Sequence, residues 1–362
     1  MSDRGEIDLQ FWSSKRVFVT GHTGFKGGWL SVWLESMGAN VIGYALPPKT
    51  DPSFFDAVNV KGLCSQSYID DIRQLPRLRD ALIESKPEII FHMAAQPLVR
   101  LSYDDPVATF STNVMGTVNL LEAIRSVESV RAVIIVTTDK CYENREWSWG
   151  YRENDPIGGR DPYSSSKGCA ELATTAYQQS FFSEKNYLKH GVAIASARAG
   201  NVIGGGDWSM DRLIPDAINS FEANQVLVIR NPLSIRPWQH VLEPLSGYLL
   251  LAQALYKEGP KFGGAWNFGP KDEDARQVKE VVNLLIKNWN SPASYKQDTR
   301  EHPHEAHFLK LDCSKARQYL CWFPKWNLEK AIEQTAQWQR AYQSQDNMQV
   351  VSLRQINSYQ QL

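Results

Sequence analysis

The segment Gly21-His-Thr-Gly24-Phe-Lys-Gly27 does most to limit what this chain can fold into. It follows a short apolar run, Lys15-Arg-Val-Phe-Val-Thr20. A helical pattern comes next (Trp29, Leu30, Val32, Trp33, Leu34, Met37), closed by Gly38. Glycines at this spacing permit a tight turn, let backbone approach a pyrophosphate, and let a helix pack closely on a strand. The helix N-terminus then offers unpaired N–H donors to phosphate. Such a motif alone is weak; between a strand and a helix near the start of a chain it is strong. Trp29 and Trp33, at helical spacing, read as packing residues.

Strand and helix patterns alternate down to about residue 200, as βαβ repetition requires. Strands are expected near 15–20, 40–46, 66–70, 88–93, 131–137 and 192–198, with helices over about 25–37, 74–85, 107–127 and 163–182. The fold class is therefore α/β, a Rossmann-type doubly wound parallel sheet with a smaller C-terminal substrate-binding lobe. The dinucleotide-binding unit is expected over about 11–200 with a return segment at about 238–268; 201–237 and 269–345 build the lobe. Residues 346–362 read as a polar, loosely ordered tail.

A chain of 362 residues is long enough for a substantial core, and a net charge of -1 argues against a polyanion binder. No early apolar run suits a signal peptide, and nothing approaches the roughly 18 consecutive apolar residues of a membrane span. The five cysteines (64, 141, 169, 313, 321) lack a Cys-x-x-Cys spacing, so neither a disulfide framework nor zinc is indicated. His302, His304 and His307 lack the spacing of a closed metal shell, so no metal is expected. The chain reads as cytoplasmic.

The chemistry is carried further along. Arg131-Ala-Val-Ile-Ile-Val-Thr137 reads as a fully buried strand with Thr138 and Asp139 at its carboxyl end, where ligands bind in open α/β sheets. Asp161-Pro162 then starts a helix carrying Tyr163 and Lys167, four residues apart and so on one face. A cation about 4 Å from a phenol favours the phenolate by roughly 4 kcal/mol at an effective dielectric of about 20, or about three units. Tyr163 is thereby expected to titrate near neutrality as a general base for an alcohol.

These elements, in this order, resemble the extended short-chain dehydrogenase/reductase superfamily from about residue 15 to 340. The resemblance implies NAD as cofactor, with a set comprising Gly21, Thr23, Gly24, Phe25, Lys26, Gly27, Asp71, Ile72, Ala94, Ala95, Gln96, Asn113, Tyr163 and Lys167. The implied substrate set is Gln96, Asn201, Arg212, Arg236 and His240, with Arg236 gripping a sugar-nucleotide diphosphate. Family members commonly pair through a helix bundle, here about 107–127 and 164–182, which implies a homo-oligomer, dimer or tetramer. NAD-selective sites often carry an acid at the end of the second strand. Here Gly43-Tyr-Ala-Leu-Pro47 has none, and Lys49 is the only nearby cation.

Most nucleotide-sugar 4,6-dehydratases place Asp-Glu or Ser-Glu after the catalytic threonine, whereas this chain has Asp139-Lys140. Thr-Thr-Asp-Lys, Gly-His-Thr-Gly-Phe-Lys-Gly and Gly-Asn-Val-Ile-Gly-Gly-Gly-Asp-Trp together are similar to the CDP-glucose 4,6-dehydratases. That resemblance implies CDP-D-glucose as substrate, CDP-4-keto-6-deoxy-D-glucose as product, and a place in dideoxyhexose and O-antigen synthesis. Thr138, Tyr163 and Lys167 would oxidise C4, and Asp139 in its neutral form would expel the C6 hydroxyl. Lys140 is either the C5 base or a fixed charge for the enolate. Two alternatives stay open: an epimerase or oxidoreductase of the same fold, and a non-catalytic NAD-binding regulator. The aromatic group Trp147, Trp149 and Tyr151 either covers apolar surface or borders the sugar.

Overall fold

The computed structural model describes residues 5–289, 293–298, 300 and 308–362. The three histidines at 302, 304 and 307 lie outside the described residues. The first six strands are β1 (Arg16–Thr20), β2 (Asn40–Ala45), β3 (Gln66–Ile69), β4 (Ile89–His92), β5 (Ala132–Val136) and β6 (Ala193–Ala199). Short strands β7 (Asn201–Ile203), β8 (Leu227–Ile229) and β9 (Ile235–His240) follow. The last three are β10 (Gly264–Phe268), β11 (Ala275–Gln277) and β12 (Tyr295–Gln297). A seven-stranded sheet runs in the order β10-β6-β5-β4-β1-β2-β3, every pair parallel. Its order reverses at β1, so β1 and β5 open their carboxyl ends onto the same crevice.

Fully buried parallel strands need apolar residues on both faces. Val17, Val19, Phe91 and Ile134 face one side, where α1 (Phe25–Ser36) contributes Trp29 and Trp33, both without exposed surface. Phe18, Ile90, Val133 and Ile135 face the other, against α2 (Leu75–Ser85) and α3 (Gly116–Ile124). The expected helix over 107–127 is interrupted by a π turn at Ser111–Met115. Next along the chain are α4 (Pro162–Ser180), α5 (Leu213–Glu222), α6 (Leu242–Glu258), α7 (Val278–Trp289) and α8 (Leu328–Gln343). A separate core joins α5, β8, α7 and α8 through Ile218, Phe221, Leu227, Leu285 and Ile332.

The tail is a correction. Met348–Gln360 form a helix, α9, rather than a loose segment. Asn347 caps it, and Met348, Ser352, Gln355, Ile356 and Tyr359 are buried. Its buried face is tied by polar contacts: Trp338 Nε1 donates to Ser352 Oγ at 2.9 Å, Gln355 Nε2 to the Gln334 carbonyl at 2.8 Å, and the Tyr359 hydroxyl to Glu243 at 2.7 Å, while Gln355 Oε1 has no partner among the described residues. The Tyr359 ring meets Trp33 of α1 edge-on, so this helix backs the first crossover of the fold.

Candidate active site

One cavity of about 800 Å³ runs from the glycine turn past the end of β5 to β8 and α5. Its first wall is main chain. Gly21 has φ of +78°, and a Cβ there would sit 2.8 Å from the Ala94 nitrogen. A Cβ on Gly27 would lie 2.1 Å from the Gly21 carbonyl oxygen. Gly24 caps α1 without a side-chain acceptor, so the first N–H groups of the helix are left for a ligand. That cradle, which any side chain would fill, fits a dinucleotide pyrophosphate. Thr23, Phe25, Lys26, Ala94 and Ala95 line the same end.

Lys26 donates to the Tyr248 hydroxyl at 3.4 Å, and burial lowers its ammonium to about 7. Asp71 and Ile72 also line the cavity; both Asp71 oxygens are held by the Arg73 guanidinium. No acid closes β2, as expected, but β3 delivers Asp70 and Asp71 beside Leu46, Pro47 and Lys49.

At the centre, Thr138 leaves β5 extended, and its Oγ accepts from the Lys140 amide at 3.3 Å, opening a 3₁₀ turn over Asp139–Cys141. Asp161 caps α4 with a capping box to Ser164, and Pro162 sits in the first turn. The helix thus presents Tyr163 and Lys167 to the cavity opposite Thr138, Asp139 and Lys140. The Thr138 hydroxyl donates to Asp139 Oδ1 at 3.1 Å and, facing the Tyr163 phenol, favours its ionised form. Asp139 is buried, and its Oδ2 has no hydrogen-bond partner among the described residues. Burial raises its carboxyl above the usual range, against the pull of Lys140, Thr138 and Arg236.

The expected tyrosine pKa near neutrality is not what the site produces. Burial pushes the phenol up to about 12, with the Thr138 hydroxyl and Arg212 opposing. Lys167 points its ammonium at the Val136 carbonyl, 3.0 Å away, and burial lowers it to about 8. Desolvation of a buried phenol outweighs a cation whose proton is committed elsewhere.

Gln96, Asn201, Arg212 and Arg236 line the cavity as expected. Arg212 donates to Asp207 Oδ2 at 2.9 Å, and its charge reaches Tyr163. Asp207, in the Gly-Gly-Gly-Asp stretch, is a holding residue that the sequence set omitted. His240 and Asn113 are corrections. His240 is fully buried between Trp29 and Trp326, away from the cavity, and desolvation keeps it neutral at about 3. On β9 it shares a face with Arg236 and Trp238, which line the cavity, but it ends the strand about 13 Å along from Arg236, at about 3.3 Å per residue, and its ring packs beyond the cavity.

Asn113 is buried off the wall. Its Oδ1 accepts from the Gln96 amide at 2.8 Å, while its Nδ2 donates to the Gln96 carbonyl at 3.1 Å and to Ser166 Oγ at 2.8 Å. It clamps the loop after β4 to α4 instead of touching a ligand. Trp147, Trp149 and Tyr151 pack on one another with centroids 5.0–5.1 Å apart, and their neighbours Asn144 and Glu146 line the cavity in their place.

Residues 18–335 match the family described as GDP-mannose 4,6 dehydratase. The chain is 59% identical over 353 residues to the CDP-glucose 4,6-dehydratase of Salmonella typhimurium, covering 98% of each. It is 26% identical to the dTDP-glucose 4,6-dehydratase of Streptomyces griseus over 91% of this chain and 95% of that one. The solved dTDP-glucose 4,6-dehydratase from Bacillus anthracis, in complex with NAD, superposes with a TM-score of 0.72 at 22% identity, covering 92% of this chain and 99% of that one. A match that spans the glycine turn, the Thr138 strand end and the Tyr163 helix alike leaves one conclusion: this chain belongs to the GDP-mannose 4,6 dehydratase family.

Proposed function

We propose that this chain dehydrates CDP-D-glucose to CDP-4-keto-6-deoxy-D-glucose and water, with NAD as its resident cofactor, in the cytoplasm and for dideoxyhexose and O-antigen synthesis. The observation that carries the reading is a buried, neutral-leaning Asp139 beside Tyr163 in a cavity continuous with the glycine turn. The 59% identity to a relative named for this activity supports it. Segments 201–237 and 269–345 hold the nucleotide sugar in this reading.

Bound NAD supplies the two-electron acceptor at C4 and the donor at C6. Tyr163 takes the C4 hydroxyl proton, and Thr138 hydrogen-bonds the same oxygen. Because burial raises the phenol, the Tyr163 proton leaves only at some cost, which the Thr138 hydroxyl and Arg212 reduce. Turnover therefore rises with pH as Tyr163 ionises. Asp139 protonates the departing C6 hydroxyl, a task that the upward push of burial on its carboxyl favours. Lys140 lines the cavity and either removes the C5 proton or stabilises the enolate. Arg236 and Arg212 hold the diphosphate.

Pairing of two chains through the helix bundle is supported by apolar residues left on its surface, among them Val107 at 78% and Leu172 at 61% exposure. The test of function is incubation with NAD and a panel of nucleotide-glucoses, following alkaline absorbance of a 4-keto-6-deoxy product. CDP-D-glucose should be turned over best; a 4-epimer in place of the keto sugar overturns the reading. Tyr163→Phe should fold and lose turnover by roughly 10²–10⁴-fold. A rate like the wild type's removes the phenol from the mechanism.

A further inference from the structure

Glu171 sits on α4 one turn beyond Lys167 and takes no part in the chemistry above. Its carboxylate is enclosed by four hydrogen bonds. Oε1 accepts from Thr137 Oγ at 2.5 Å and from Arg198 Nε at 2.9 Å. Oε2 accepts from Ser196 Oγ at 2.6 Å and from Arg198 Nη2 at 2.9 Å. The two charged side chains are each only 3% exposed. Arg198 also donates to the Tyr142 hydroxyl at 2.7 Å and to the Glu153 carbonyl at 3.1 Å. Tyr142 in turn immediately follows the Asp139–Cys141 turn.

The contacts fall on consecutive residues of one strand end. Val136 accepts from Lys167, Thr137 donates to Glu171, and Thr138 faces Tyr163 across the cavity. Helix α4 is therefore fastened to the end of β5 at two successive rungs, and the reacting pair, Thr138 and Tyr163, follows directly. A displacement of about 1 Å between such groups costs on the order of 10²-fold in rate. We propose that Glu171 is a positioning residue for this reaction, fixing Thr138 against Tyr163 through Thr137 and supplying the anionic charge one helical turn from the Lys167 ammonium. The proposal rests on the roles given to Thr138, Tyr163 and Lys167 above.

Titratable groups face Lys167 from several elements. Tyr163 and Glu171 share its helix, Cys141 comes from the 3₁₀ turn, Lys26 from α1 and His92 from β4. His92 is held neutral, buried between Thr20 and Thr117. Glu171 is the anion among them, and with Cys141 it works against the burial that lowers Lys167. Lys167 acts as a cation, so the rise in activity that Tyr163 imposes stops as pH passes the lysine's folded value of about 8, and this break opens the alkaline limb of the profile. Removing the Glu171 charge lowers that value, and the Arg198 cation left behind acts in the same direction.

The test is the pH profile of kcat/KM for the NAD-loaded enzyme with CDP-D-glucose. In Glu171→Gln the alkaline limb should move to lower pH by roughly one unit. An alkaline limb coincident with the wild type's overturns the charge role, whatever the loss in rate. Thr137→Val removes one rung and keeps the ion pair, so it remains informative should Glu171→Gln fail to fold. Its kcat should fall about tenfold or more with both KM values and the alkaline limb unmoved; an unchanged kcat overturns the positioning role. Tyr163→Phe run alongside separates the two ideas. An active Tyr163→Phe enzyme sinks the assignment of the base, whereas an inactive one with an unmoved limb in Glu171→Gln sinks only the role of Glu171.

Discussion

At one end of the cavity the wall is main chain from a single stretch, Gly21 to Gly27; at the other it is side chains from Gln96, Asn201, Arg212 and Arg236, brought together across more than a hundred residues. The first wall works by having nothing there: its N–H groups and empty Cβ positions form the cradle. The second works by what projects from it, namely guanidinium groups anchored by partners such as Asp207. A wall of backbone should fail all at once when an atom is added. A wall of side chains should lose affinity in steps, one contact at a time.

Gly27→Ala should show the largest effect. The new methyl would meet the Gly21 carbonyl at 2.1 Å, so either the turn opens or α1 shifts off β1. NAD titration should show affinity reduced by two orders of magnitude or more. Thermal unfolding should show a loss of about 1–3 kcal/mol, the usual cost of overpacking. Unimpaired NAD binding would mean that the turn tolerates an added atom, and the contrast between the walls would fall. Arg236→Ala comes next. KM for the nucleotide sugar should rise about 10- to 100-fold, from loss of roughly 1.5–3 kcal/mol of charge-assisted hydrogen bonding, with NAD affinity unchanged. An equal loss for both ligands would show that the two ends are not separable.

The smallest effect sharpens the boundary between them. Burial raises the Asp139 carboxyl, so the folded chain favours its neutral form. The stability at this site is full below the unfolded value of 3.8 and declines as pH rises through the raised folded value. Asparagine suffers no such decline. Asp139→Asn should therefore melt higher than the wild type near neutral pH, show no advantage near pH 3, and be unable to complete elimination. Each pKa unit of elevation is worth about 1.4 kcal/mol. A variant that melts no higher at neutral pH would show that Asp139 is charged in the folded enzyme.

Legibility in the sequence followed the same division. The glycine turn and the strand–Thr138 and Asp161–Tyr163–Lys167 units could be read because each is contiguous, and local spacing already fixes which groups face together. The sheet strands were readable for the same reason, being short apolar runs bounded by turns. His240 was misread because sharing a strand face with Arg236 does not bring a residue four positions further along into the same cavity. Asn113 was misread because its amide serves a loop rather than a ligand. The α9 tail hid its period, since two of its buried positions are Ser352 and Gln355, whose Oγ and Nε2 are bonded to Trp338 and Gln334. Polarity disguises an inward face when buried donors find partners. Glu171 left a usable signal, an acid four residues after Lys167 on the same helix face.

The Glu171–Arg198 pair also bears on how the chain reaches its native state. Parallel strands β5 and β6 align Ile135 with Ser196 and Val136 with Ala197, and only that alignment brings Arg198 to Glu171. A slip of one residue would turn Arg198 to the opposite face. A buried guanidinium without its carboxylate is penalised by about 3–5 kcal/mol, whereas the matched pair adds little over well-packed apolar residues. Its yield is selectivity among strand registers: misaligned intermediates are disfavoured before the sheet closes. Replacing both residues together with methionine should leave the melting temperature level or higher while increasing the aggregated fraction on refolding.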